Sequence, residues 1–242
     1  IQAHFSYNMR GPQDNIRQKN EYAGGGIMDV GCYCTSMARL LAGAALGQEF
    51  ANPIITSDGY RSELALQGYA HIGAESGVDE WATAIVRFPG DIVANLTCGI
   101  QVKVDPALRI WGSTGHLIVP NPWFPGDERF GGEEGAKILV YKDGQTEPEE
   151  VLVPGGLPLY SLEADTVAHY LAVRQAVGPS MNWADSLGNM ATLDAWRKEV
   201  GLVFEAERPA ALTLPTSGRP LSPPPPPGRV KTPPAPPQHA LR

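Results

Sequence analysis

The chain has 242 residues, 43% of them hydrophobic and 19% charged, with a formal charge of −7; it can bury one sizeable core, and an acidic balance without a basic stripe argues against nucleic acid as a partner. No run of about 18 uninterrupted apolar residues occurs, so no membrane-spanning helix is expected. Cys32, Cys34 and Cys98 are too few for a disulfide framework and fit a reducing, cytoplasmic setting, with any export signal upstream of Ile1.

Alternation from Ile1 to Tyr7 reads as a strand, and a chain that starts in mid-pattern, without Met, reads as a piece of a longer protein. A polar stretch from Asn8 to Glu21 leads to Gly24-Gly25-Gly26. These glycines open an apolar-periodic run, Ile27 to Leu41, that predicts a helix closing on Gly43. From Gly77 the period becomes two: Trp81 to Phe88, the turn Pro89-Gly90-Asp91, and Ile92 to Cys98 predict a β-hairpin. Leu108 to Gly112, His116 to Val119, Ala136 to Tyr141 and Glu150 to Val153 are short, apolar-rich and bounded by turn residues, as strands are. Helical period returns at Leu162 to Val177 and at Trp183 to Val203.

Strands that follow one another without intervening helices imply an open, mostly antiparallel sheet with helices packed on one face, an α+β fold. Residues 1–207 are taken as that domain and 208–242 as a proline-rich, disordered tail or linker, since twelve of the 23 prolines fall from Pro209 onward, including Pro223 to Pro227. The tail is read as a spacer, with an aromatic-groove module as the other option.

The stretch Gly24 to Tyr33 carries the chemistry. Three glycines permit a close backbone approach and leave the first amides of a helix facing an anionic or polar group. Asp29 and Tyr33 lie four apart, on one helical face. A carboxylate and a phenol together can hold and deprotonate a hydroxyl, provided a cation lowers the phenol from its usual value of about 10. The bland alternative is a dipole-matched helix start beside a core tyrosine. The glycines lack G-x-G-x-x-G spacing and are not a dinucleotide fingerprint. Cys32 and Cys34, two apart on a helix, point about 200° apart, so no metal site is expected. His71 and His116 read as structural, and Trp183 and Trp196 as core.

Asn15-Ile16-Arg17, Gly24 to Tyr33, Arg39-Leu40-Leu41-Ala42-Gly43, Phe88-Pro89-Gly90, Ile110 to Gly115 and Asn182 to Met190 through Leu193-Asp194-Ala195-Trp196-Arg197 together resemble the second domain of the Gfo/Idh/MocA oxidoreductases. The likeness spans about residues 1–207. It implies a preceding Rossmann domain that binds NAD or NADP, a sheet that builds a homodimer, and a sugar, polyol or diol as the small-molecule substrate. The family's Asp and its His or Tyr beside the nicotinamide fall on Asp29 and Tyr33. Tyrosine there resembles the glucose-fructose oxidoreductase and dimeric dihydrodiol dehydrogenase branch, where the phenol serves as acid/base. By the same resemblance Arg17 and His169 are substrate contacts, His169 sharing a helix face with Asp165, and Gly25 and Gly26 contact the cofactor. The Glu-Lys-Pro lysine that partners the phenol in the family does not occur in these residues. The expectation is therefore the substrate and dimerisation domain of an NAD(P)-dependent oxidoreductase, inactive alone. The alternative is a non-catalytic sugar-binding or assembly module, or a truncated gene product.

Overall fold

The computed structural model describes residues 1–10, 14–57, 62–125, 135–155 and 159–208. The expected proline-rich tail lies outside the described residues, apart from Arg208.

Ten strands and three α-helices are present among them: β1 (Gln2–Ser6), α1 (Cys32–Ala45), β2 (Ile55–Ser57), β3 (Ser62–Leu64), β4 (Leu66–Ile72), β5 (Asp79–Phe88), β6 (Ile92–Gly99), β7 (Leu108–Gly112), β8 (Gly115–Val119), β9 (Ala136–Lys142), β10 (Glu149–Val153), α2 (Leu159–Tyr170) and α3 (Trp183–Glu199). Eight strands form one sheet in the order β10-β9-β8-β7-β1-β6-β5-β4, while β2 and β3 pair separately. All pairs in the large sheet are antiparallel except β1 with β6, which run parallel from Gln2↔Asn95 to Ser6↔Gly99. That single parallel pair places the N-terminal strand at the sheet centre, between the hairpin β5-β6 and the meander β7 to β10.

Period-two patterning sets the faces. Ala82, Ala84, Val86 and Phe88 of β5 and Ala94, Leu96 and Cys98 of β6 are buried against α1 and α3, together with Ala3 of β1. Small residues on the sheet let the helices approach closely. Buried Ala38 and Ala42 on α1 and fully buried Trp196 on α3 fill the space between. The indole lies against the strand: a methyl group at Gly68 of β4 would stand 3.1 Å from the Trp196 ring.

The helix bounds differ from the sequence pattern, and the first helix does not close on Gly43 but runs through it to Ala45. The run from Ile27 does not start as an α-helix but as a wider π-helical turn, Ile27–Gly31, continued by α1 to Ala45. The second helix stops at Tyr170, seven residues short of Val177, and Arg174 beyond it has a positive φ of 60°. The third stops at Glu199, where Gly201, at φ 72°, turns the chain away. Strands β2, β3 and β4 had no counterpart in the pattern. No helix among the described residues is long and apolar enough to cross a membrane.

Candidate active site

Three segments converge where the π-helical turn meets the end of β1. Asn15 caps a short 3-10 turn, Ile16–Gln18, its side chain accepting the Arg17 amide at 3.0 Å. The turn folds over the glycines: the Gly25 amide donates to the Arg17 carbonyl at 2.8 Å. A methyl group on Gly24 would meet that carbonyl oxygen at 2.4 Å, which only glycine avoids. Arg17 thereby lies over the helix, and its Nε donates to Asp29 Oδ1 at 2.9 Å. From the opposite side the Tyr7 hydroxyl donates to Asp29 Oδ2. The carboxylate is thus held between a guanidinium and a phenol.

Tyr33 stands one turn further on, 53% exposed. Its ring meets Phe5 of β1 edge-on, centroids 5.5 Å apart, and Phe5 stacks in turn on Trp123 at 5.1 Å. The Trp123 Nε1 is fixed by the His4 carbonyl at 2.7 Å. No side chain among the described residues hydrogen-bonds the Tyr33 hydroxyl, so it is open to a ligand. Burial raises its pKa, and the charges of Cys32, Tyr160, Glu163 and Asp29 add to the rise. The cation that a proton-accepting phenol needs is not supplied here, because Arg17 is turned toward Asp29. These residues keep Tyr33 protonated, a donor until a positive charge arrives.

The amides at the helix start are not left for a ligand, contrary to the sequence reading. Asp79, at the start of β5 and fully buried, accepts the Ile27 amide at 2.7 Å through Oδ2. Gly25 adopts φ 109°, and a methyl group there would fall 2.1 Å from Asp79 Oδ1. Gly25 and Gly26 are buried against Asp79 and Gly99, so their bareness serves packing inside this domain. Burial pushes the Asp79 carboxyl up to about 7, against the opposing pull of the Ile27 and Gly26 amides.

The expected site residues therefore separate. Asp29, Arg17 and Tyr33 come together, while Gly25 and Gly26 turn inward. His169 sits in the last turn of α2 with its ring edge-on to Tyr170, centroids 4.7 Å apart. At about 100° per residue it lies across the helix from Tyr160 and Glu163, the α2 residues whose charges bear on Tyr33. His71 stacks on Trp81 and His116 on Tyr141, as side chains on the sheet. Trp196 is core, but Trp183, expected there too, is 46% exposed at the start of α3. Burial pushes Cys32 up to about 11, and Cys34 and Cys98 lie deeper in the core.

Tyr7 and Asp79 went unnoticed in the sequence. Alternation could have found Tyr7, which follows Ala3 and Phe5 on the helix-facing side of β1. Asp79 shows only as an acid at the head of an apolar strand.

The likeness expected from the motifs is found by comparison. Residues 1–118 match the model of the GFO/IDH/MocA C-terminal domain. Human trans-1,2-dihydrobenzene-1,2-diol dehydrogenase is 28% identical over 187 residues, 77% of this chain and 49% of that protein. The mouse enzyme of the same name is 24% identical over 188 residues, again 77% and 49%. The chain thus spans about half the length of the relatives it matches. A 3-ketoreductase from Actinomadura kijaniata, solved with NADP and TDP-benzene, superimposes with a TM-score of 0.62 at 19% identity, over 82% of this chain and 53% of that one. An aldose-aldose oxidoreductase from Caulobacter crescentus, solved with glycerol, gives 0.62 at 16%, over 83% and 52%. At these identities the structural likeness carries the fold.

Proposed function

We propose that a chain whose residues 1–118 match the GFO/IDH/MocA C-terminal domain supplies the substrate-facing and dimerising part, residues 1–207, of an NAD(P)-dependent oxidoreductase acting on the CH–OH group of a sugar, polyol or diol. The observation that carries this reading is the open Tyr33 hydroxyl beside an Asp29 carboxylate clamped by Arg17 and Tyr7. The diol dehydrogenase activity of the human and mouse relatives supports the same substrate class.

The residues present fit only one end of a nicotinamide nucleotide. The Ile27 amide is taken by Asp79 and the Gly24 and Gly25 amides by the Lys19 and Arg17 carbonyls, so the glycine turn offers no phosphate cradle there. The exposed face of Tyr33 and the aromatic edge of Phe5 do suit the planar, reacting end. NAD or NADP, held mainly by residues outside these 242, supplies the hydride chemistry. Tyr33 Oη donates a proton to the carbonyl oxygen in reduction, or takes it from the hydroxyl in oxidation once a cation has lowered its pKa. Asp29 accepts a hydrogen bond from a neighbouring hydroxyl and orients the ring, with Arg17 contacting a substrate oxygen through the guanidinium nitrogens not used on Asp29. The free thiols fit a cytoplasmic setting.

The test is made on the protein with its nucleotide-binding half, natural or fused. Nicotinamide reduction by trans-dihydrodiols and aldoses is measured for it and for Tyr33→Phe. Loss of a general acid/base lowers turnover by about 10²- to 10⁴-fold. An undiminished Tyr33→Phe rate, or no oxidation of any member of these classes, overturns the reading.

A further inference from the structure

The carboxylate of Asp29 has two fixed donors, and one of them sits just past the end of β1, 22 residues away. The Tyr7 hydroxyl donates to Oδ2 while the Arg17 Nε donates to Oδ1 at 2.9 Å. Tyr7 is not a loose side chain. It follows β1 directly, its amide donates to the Gly99 carbonyl at 3.0 Å, and the bridge Asn8↔Gln101 holds the backbone just beyond. The sheet therefore aims the phenol at the helix.

We propose that Tyr7 is a further residue of the site, a positioning residue that fixes the Asp29 carboxylate against rotation and divides the work of two phenols between Tyr7 and Tyr33; this rests on the function proposed above. A phenol has one proton, and Tyr7 spends its own on Asp29. Burial and that hydrogen bond both raise the Tyr7 pKa, so the donor stays in place. Tyr33 has the opposite surroundings: an open hydroxyl, an exposed ring and no donor duty to the described residues. The proton-transfer role falls to Tyr33 and the holding role to Tyr7. Each carboxylate oxygen keeps one lone-pair direction after accepting from Tyr7 or Arg17. These remaining acceptor positions, on a side chain 20% exposed, suit a hydroxyl adjacent to the reacting carbon. The substrate class narrows to compounds with vicinal oxygens, and Tyr7 controls how well that second oxygen is held.

Two measurements decide this. In the 242-residue chain, a double-mutant cycle of Tyr7→Phe and Asp29→Ala on unfolding reads the contact without any activity. The coupling expected is about tenfold in the unfolding equilibrium constant, the size of a hydrogen bond to a charged group. Additive effects overturn the contact and the proposal. In the protein with its nucleotide-binding half, Tyr7→Phe raises KM for a vicinal diol about tenfold or more and leaves kcat within about threefold, the pattern of lost uniform binding. Tyr33→Phe lowers kcat. A Tyr7→Phe variant that lowers kcat as Tyr33→Phe does, or that changes neither constant, overturns the positioning role. Coupling in the cycle together with no turnover by the unsubstituted protein overturns the proposed function instead, and the two failures are thereby told apart.

Discussion

Gly25 and Asp79 form a lock whose parts depend on each other. At φ 109° an alanine in place of Gly25 is strained, and its methyl group would stand 2.1 Å from a buried carboxylate oxygen. Gly25→Ala should lower stability by about 2 kcal/mol or more, read from urea unfolding at neutral pH. Asp79 also gives the fold a pH signature. Its carboxyl titrates near 7 when folded, against about 3.9 in an unfolded chain. The native state therefore binds the extra proton between those values, and stability falls as pH rises from about 4 through 7. Glu207 works the other way in a separate window. Arg197 holds it at about 2, so its contribution is present above about 4.5 and is lost as pH falls toward 2. The protein should unfold at higher urea at pH 5 than at pH 8, and Asp79→Asn should flatten that difference. Equal midpoints at the two pH values in the unsubstituted protein would refute the buried-acid account. At this scale Asp29, Tyr33 and Arg17 were legible because spacing and motif place them within one short segment. Tyr7 and Asp79 were not, because their partners lie 22 and 52 residues away. Only the pairing of β1 and β5 around β6 brings them in.

The helices are joined through polar contacts that sequence separation conceals. Arg39 of α1, with no exposed surface, pairs with the Asp185 carboxylate of α3, donates to the Asp185 carbonyl at 2.9 Å and to Asn52 Oδ1 at 2.8 Å. Thr35 donates to Asn189 Oδ1 at 2.7 Å, and Asn189 donates back to the Cys32 carbonyl at 3.2 Å. Two separated motif strings, around Arg39 and around Asp185, are in this way one structural unit. Removing the carboxylate leaves the buried Arg39 charge with neutral acceptors only, so Asp185→Ala should cost about 3 kcal/mol in calorimetry or urea unfolding. A cost below about 1 kcal/mol would show that water reaches Arg39. Periodicity revealed the helices and most strands because each has a strong single period. It lost β4, Leu66–Ile72, whose helix-facing positions include Gly68, bare to admit the Trp196 ring. It overran α2, where Leu171 and Val177 extend the apolar pattern but are exposed at 70% and 40%. Apolar spacing marked a helix there that no packing continues.

At the scale of the molecule the sheet has one face covered by α1 and α3 and one left open. Tyr69, Trp81, Ile85, Val93 and Trp111 project from the open face, with Tyr69 at 78% and Trp111 at 57% exposure. Between them runs a polar stripe in which His4 pairs with Asn95 at 3.1 Å and Thr83 with Thr97 at 3.1 Å. Aromatic anchors around satisfied polar groups are the composition of a protein interface rather than of a bare surface. Composition and alternation had already indicated a half-covered sheet, yet which strands lie side by side was hidden, since β1 pairs with β6, about 90 residues on. Only that order gathers the exposed aromatics of β4, β5 and β7 onto one face. A second copy of this chain is the expected cover, as the family resemblance implies. Sedimentation should therefore give a dimer for the protein at micromolar concentration. Ile85 projects from the open face on β5, one strand in from the β4 edge, paired with Asn95 of β6. Ile85→Glu places two like charges in such an interface and should yield a folded monomer, its circular dichroism unchanged. A protein that sediments as a monomer before substitution leaves the open face to another partner, whereas a dimer that survives Ile85→Glu is built on a different surface.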